Sequence, residues 1–215
     1  NALAGEVMVD SGQIIVDNQD VTRLPTHKRA ARVARGFQDP LAGTCENLTI
    51  EENLALAIKR GQRRGLSGAV KKQYLERFRD SLSSLKLGLE NRLGDKMGLL
   101  SGGQRQAVSL LMASLTPSSI LLLDEHTAAL DPKTAAFVLE LTQKIIEEQK
   151  LTALMVTHSM KQALEVGSRT VMLHQGQVVF DIAGKEREGL EVKDLLGLFE
   201  QQRGLKVDDD SLLLG

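Results

Sequence analysis

The stretch Ile120-Leu121-Leu122-Leu123-Asp124-Glu125 constrains the fold more than any other part of this chain. Four consecutive aliphatics, set between Pro117-Ser118 and a polar turn, read as a central strand buried on both faces. Such a strand belongs to an α/β sheet and carries Asp124 and Glu125 to its carboxyl edge, where ligands of open α/β sheets bind. Adjacent acids at that edge can divide the work. One can hold Mg²⁺ through oxygen, and the next can orient or deprotonate a water. Taken alone, the pair could as well cap the helix that starts near Pro132.

At 215 residues with 42% hydrophobic content, the chain can bury one large α/β core or a core with an inserted subdomain. A formal charge of −1 and 3% aromatic content give no electrostatic or stacking reason to expect a nucleic-acid partner. Cys45 is the single cysteine, so no intrachain disulfide can form; a plain small side chain is the simpler reading than a reactive thiol. No apolar run approaches the roughly 18–20 residues that cross a bilayer. Membrane association would therefore come through a partner.

Asn1-Ala2-Leu3-Ala4-Gly5 reads as the end of a helix closed by a glycine. Gln13 to Asp17 and Val21 suggest a short strand and a hairpin or edge element. Pro25 to Arg35 carries His27, Lys28, Arg29, Arg32 and Arg35 among alanines. It could touch phosphate, but a solvated helix face is the expectation. Thr49 and Glu52 have capping-box spacing before an apolar helix, 59–72 reads as an exposed loop, and Lys71 to Leu87 reads as an amphipathic helix. Nothing between Ile50 and Leu93 has the pattern of a central strand, which points to a helical insertion.

Leu99-Leu100-Ser101-Gly102-Gly103-Gln104-Arg105-Gln106 opens a strongly apolar helix, again with capping-box spacing at Ser101 and Gln104. Doubled glycines at a helix start let an anion approach bare N–H groups, which a cap alone does not require. Asp131-Pro132 gives an N-cap followed by proline at the first helical position, with the helix running to about Lys150. Thr152 to Thr157 reads as a further buried strand ending at His158. A histidine there, in the same sheet as the two acids, is a candidate phosphate contact. Arg169–Leu173 and Gln177–Phe180 form a hairpin through Gln175-Gly176, Val192 to Gln202 is a last helix, and Asp208-Asp209-Asp210-Ser211 begins an acidic tail that is expected to be frayed.

Five motifs thus stand in order: Gln38 in Gly-Phe-Gln-Asp-Pro, Leu100-Ser101-Gly102-Gly103-Gln104, the Ile120–Glu125 strand, Ala129-Leu130-Asp131, and His158. Over nearly its whole length the chain resembles the nucleotide-binding subunit of an ABC transporter. The resemblance implies an α/β P-loop NTPase (RecA-like) fold with a parallel sheet. A helical signature subdomain at 49–116 would be inserted between 1–48 and 117–215. It implies ATP and Mg²⁺ as ligands, and hydrolysis in a head-to-tail dimer with a second copy. Transmembrane permease subunits, and a substrate-binding protein for an importer, would be the other partners at the cytoplasmic face of the membrane. Gln38 would sense Mg²⁺ and the γ-phosphate, Asp124 would support Mg²⁺, and Glu125 would polarise the attacking water. His158 would meet the γ-phosphate. Ser101, Gly102, Gly103 and Gln104 would touch ATP on the other subunit, and Asp131 would report across the dimer.

Two departures accompany this resemblance. His126 stands where most of the family has proline; with Thr127 to Thr134 it resembles the tryptophan/tyrosine-type importers, and His126 is expected to be a packing or turn residue. The sequence also contains no Gly-x-x-x-x-Gly-Lys-Ser/Thr, the loop that supplies the phosphate cradle. The reading is that about 40 N-terminal residues with that loop and the first strands are missing from the chain, which as written would not bind ATP usefully. Two rivals differ in class. A non-transport ABC ATPase would place long coiled coils between Gln38 and Ser101, where only 62 residues lie. A catalytically inactive regulatory subunit would have no need of Glu125, His158 or the signature.

Overall fold

The computed structural model describes residues 1–62 and 70–203, with backbone alone for 201–203. Part of the expected loop at 59–72 and the acidic tail at 208–211 lie outside the described residues. The chain divides into two compact units, 1–155 and 156–215.

The first unit begins with a turn that closes on Gly5. Glu6 N donates to Asn1 O and Gly5 N to Ala2 O, both at 3.1 Å, with Gly5 at φ +84°. Those are the two bonds of a Schellman closure, in which glycine supplies the left-handed residue. Strands β1 (Ile15–Val16) and β2 (Gln19–Asp20) then form a small antiparallel hairpin. Asp17 and Asn18, at φ 50° and 58°, make its two-residue turn.

Helix α1 is just Thr26–Arg29, and after a turn at 30–32 the basic stretch ends in strand β3 (Val33–Gly36). The expected solvated basic face is therefore corrected at Arg29. Its side chain is 1% exposed and donates to the carbonyls of Ala2 (2.6 Å), Leu3 (3.1 Å), Thr22 (2.8 Å) and Leu24 (2.8 Å). A guanidinium can be buried on such terms because its fork of donors meets a ring of acceptors.

Between β3 and the next strand lie α2 (Ile50–Ala57), α3 (Lys72–Ser83) and α4 (Gly102–Ser114). Thr49 caps α2 in a full capping box with Glu52, fixing where the helix starts. The apolar faces of these helices meet in one core that includes Ile50, Leu54, Phe78, Leu82 and Leu110. That core continues onto the sheet through Ala34, Leu121 and Leu123.

Strand β4 (Ile120–Asp124) pairs in parallel with β3, and β5 (Thr152–Val156) completes the order β3-β4-β5. Helix α5 (Pro132–Gln149) connects β4 to β5 and ends at Lys150 in the left-handed conformation. The expectation of a buried strand at 152–157 fails. β5 is exposed at four of its five positions, with Leu154 46% exposed. It stands at one end of the strand order, but so does β3, which is buried with Ala34 in the core, so what β5 lacks is cover on its faces.

In the second unit, α6 (Met160–Glu165) precedes the antiparallel hairpin of β6 (Arg169–His174) and β7 (Gln177–Ala183), and α7 (Val192–Arg203) follows. Arg187 holds α6 to the hairpin, donating to Thr170 Oγ1 at 2.9 Å and to the Val166 carbonyl at 3.0 Å.

Candidate functional site

The parallel register decides the geometry of the site. Gly36 lies opposite Leu123 in the β3–β4 ladder, so Gln38 and Glu125 each stand two residues beyond the last pair. Their side chains meet there, with Gln38 Nε2 donating to Glu125 Oε2 at 3.3 Å. Gly36 leaves room for its ladder partner, since a Cβ at that position would come within 2.9 Å of Leu123 Cδ2, which would have to shift.

Glu125, the first residue after β4, makes a sharp change of direction at φ +42°. Non-glycine residues rarely adopt this conformation, and it persists where surrounding contacts impose it. Here Ala128 N bonds back to Glu125 O at 2.9 Å, and the two residues after the bend, His126 and Thr127, are buried. The turn closes on Asp131, whose Oδ1 accepts from Thr134 N at 3.1 Å and caps α5. Hydrogen bonds from Thr134 hold the Asp131 carboxyl below the usual carboxylate range.

Asp124, at the end of β4, has Arg35 for a neighbour, its Nη2 3.7 Å from Oδ2. Arg35 projects from β3, also pairs with Glu6, and stacks over Phe37 at 4.7 Å from the ring centroid. Sequence reading grouped Arg35 with a basic helix and so missed its place beside the acid pair.

The glycine pair begins α4. Ser101 Oγ accepts from Gln104 N at 3.3 Å, and Ser101 N donates to Gln104 Oε1 at 3.1 Å, completing the expected capping box. Ser101 and Gly102, at the start of the helix, are exposed. Gly103 has a second reason to lack a side chain, because a Cβ there would overlap the Thr134 methyl at the start of α5.

The loop after Gln38 is held at both ends. Gln106 of α4 donates to the Phe37 carbonyl at 3.1 Å, and Asn53 of α2 bonds both main-chain groups of Cys45, at 2.8 Å and 3.0 Å. A groove of about 970 Å³ opens beside this loop, with Arg35, Phe37, Gly43, Leu56 and Met112 among its lining residues. Eight of the nine residues singled out from the sequence thus lie in the first unit. The structure joins Gln38 to Glu125 directly, and sets Asp131 and Gly103 against the same residue, Thr134. His158, exposed between β5 and α6, belongs to the second unit. Among the described residues no group of three or more His, Cys, Asp or Glu side chains gathers to hold a metal.

A family profile described as ABC transporter matches residues 1–128. The chain belongs to the ABC transporter family. It is 47% identical over 202 residues to the tyrosine transport ATP-binding protein of Clostridioides difficile (strain R20291), covering 93% of this chain and 79% of that one. Identity to the thiamine import ATP-binding protein ThiQ of Shigella flexneri is 32% over 193 residues, with 90% and 77% covered. Its fold matches the dimeric, post-hydrolysis structure of the ATP-binding cassette MJ0796 bound to ADP and Pi. The TM-score is 0.68, with 28% identity over 84% of this chain and 76% of that one. The fold is that of an α/β P-loop NTPase, and the chain is an ATP-binding subunit of the ATP-hydrolysing ABC class.

Proposed function

We propose that this ABC subunit hydrolyses ATP in a head-to-tail homodimer to drive import of a small solute through a membrane permease. The observation that carries the reading is the meeting of Gln38 and Glu125 at 3.3 Å, one residue past Asp124, at the carboxyl edge of a parallel pair. Phosphoryl transfer asks a protein for positioning and electrostatics, and this edge supplies both. Glu125 takes the part of the group that polarises the attacking water. Asp124 and the carboxamide oxygen of Gln38 are hard oxygen donors of the kind Mg²⁺ takes alongside substrate phosphates, so the residues present fit that ion without a larger protein cage. Mg²⁺ would supply neutralisation of phosphate charge.

The exposed start of α4, with Ser101, Gly102, Gly103 and Gln104, is suited to meet the phosphates of ATP held by the second copy. Asp131 lies on the turn that would face that copy, and His158 is assigned the γ-phosphate contact. Helices 49–116 are read as the signature subdomain, inserted between 1–48 and 117–215. No described helix is long and apolar enough to cross a membrane, so attachment to the cytoplasmic face falls to permease subunits. The groove beside residues 37–45 is the surface proposed to receive them. Similarity to the tyrosine transport ATP-binding protein of Clostridioides difficile supports an amino acid as cargo, delivered by a substrate-binding protein.

The deciding experiment is ATP turnover by the full-length chain, with and without Glu125→Gln. Turnover that falls at least 100-fold in the variant, with ATP still bound, is the expected result. A full-length chain that binds ATP without turning it over would instead identify a regulatory subunit.

A further inference from the structure

Gln106 is a polar side chain in the wrong place for stability. It sits on the buried face of α4 at 1% exposure, between Arg105 and the apolar run that starts at Ala107. Its Nε2 makes one hydrogen bond, to the Phe37 carbonyl at 3.1 Å, and its buried Oε1 has no partner. An unmet buried acceptor costs about as much as one neutral hydrogen bond returns, and apolar groups of the same shape are often as stable. Stability alone would therefore accept methionine here.

The bond joins two parts of the site. Phe37 O belongs to the peptide that leads into Gln38, and Gln38 Nε2 reaches Glu125 Oε2 at 3.3 Å. At the other end, α4 begins with the capped Ser101–Gln104 turn. One helical turn beyond Gln106, Ser109 is also buried, and a Cβ on Gly43 would come within 2.7 Å of its Oγ. The segment 37–43 is thus seated on one face of α4, and Gln106 is the hydrogen bond that pins its first residue.

We propose that Gln106 is a positioning residue, fixing the Phe37 carbonyl to the signature-bearing helix and so setting where Gln38 meets Glu125. Its effect on turnover rests on the ATPase reading above; its effect on the loop does not. The test uses the full-length chain carrying Gln106→Met, Gln38→Ala, or both. Expected is a Gln106→Met protein that melts within a few degrees of the unmodified chain and turns over ATP about 10-fold more slowly. In the Gln38→Ala background the same replacement should change turnover less than 2-fold, because groups acting through one another are not additive. Amide hydrogen exchange at 38–43 should quicken in Gln106→Met, a readout that needs no turnover. Gln106→Asn, too short to reach Phe37, should behave alike and serves if the methionine variant fails to fold.

Losses that multiply in the double variant, or unchanged exchange at 38–43, would overturn the proposal. An unmodified chain with no turnover would refute the ATPase reading instead, and exchange alone would then judge Gln106.

Discussion

His126 Nε2 lies 2.9 Å from Thr142 Oγ1, and both residues are buried, at 2% and 0% exposure. The Thr142 hydroxyl donates its one proton to the Val138 carbonyl at 2.7 Å, so it can only accept from the ring. His126 is therefore the Nε2–H tautomer, tying the turn after Glu125 to the middle of α5. Burial lowers its pKa from 6.5 to about 4. Since the unfolded chain takes up the proton first, stability is complete above about pH 6.5 and falls as pH drops towards 4. The loss is on the order of 3 kcal/mol by linkage. Denaturant midpoints across that window should slope for the unmodified chain and flatten for His126→Leu. Equal slopes would mean that other groups set the acid limit.

Gly103→Ala should destabilise the chain by about 1–3 kcal/mol, as overpacking does, because its methyl would meet that of Thr134. Thr134→Ser removes the opposing methyl and keeps the capped backbone of α5. Urea titration of the double variant should recover most of the loss. Failure to recover would show that Gly103 is required for its backbone or its ligand, with packing playing no part.

Arg29→Met removes the donors that satisfy the carbonyls of residues 2, 3, 22 and 24. The expected cost is about 3 kcal/mol or more, the range for breaking a buried charged network. Arg29→Lys should recover little, since one ammonium cannot reproduce the fork. Thermal melts of both variants within a few degrees of the unmodified protein would contradict this account.

Asp131 has two separable properties, a capping oxygen and a charge. Asparagine caps as well as aspartate, whereas alanine costs about 1 kcal/mol. Asp131→Asn should thus keep the unfolding free energy of the unmodified chain while Asp131→Ala loses that amount. Turnover measured on the asparagine variant then reports on the charge by itself, and equal stability losses in both variants would argue against the capping role.

The features legible in the sequence were those whose physics is local. Both capping boxes and the Asp131 cap depend on residues three apart, and the β4 strand declares itself by four adjacent aliphatics. What escaped depends on residues far apart along the chain. Arg29 reads as a surface cation until the Schellman turn at 1–6 brings two carbonyls to it. Gln106 hides in an apolar helix because its partner is 69 residues away. The exposure of β5 reflects what covers its faces, since β3 at the other end of the strand order is buried, and its own composition, Thr-Ala-Leu-Met-Val, does not encode that cover.

The Gly36–Leu123 register also sets a rule for altering the chain. The ladder brings the backbones of Gln38 and Glu125 to the same edge, Gln106 pins the residue before Gln38, and the length of polypeptide between α2 and α3 does not enter. Extra residues spliced between α2 and α3 would lengthen the contour without shifting that ruler, at about 0.6 kcal/mol for each doubling of the connection. A single residue added inside β3 would move Gln38 off its mark and turn the strand's inward side chains outward. Fluorescent or affinity tags belong in the first place and never in the second.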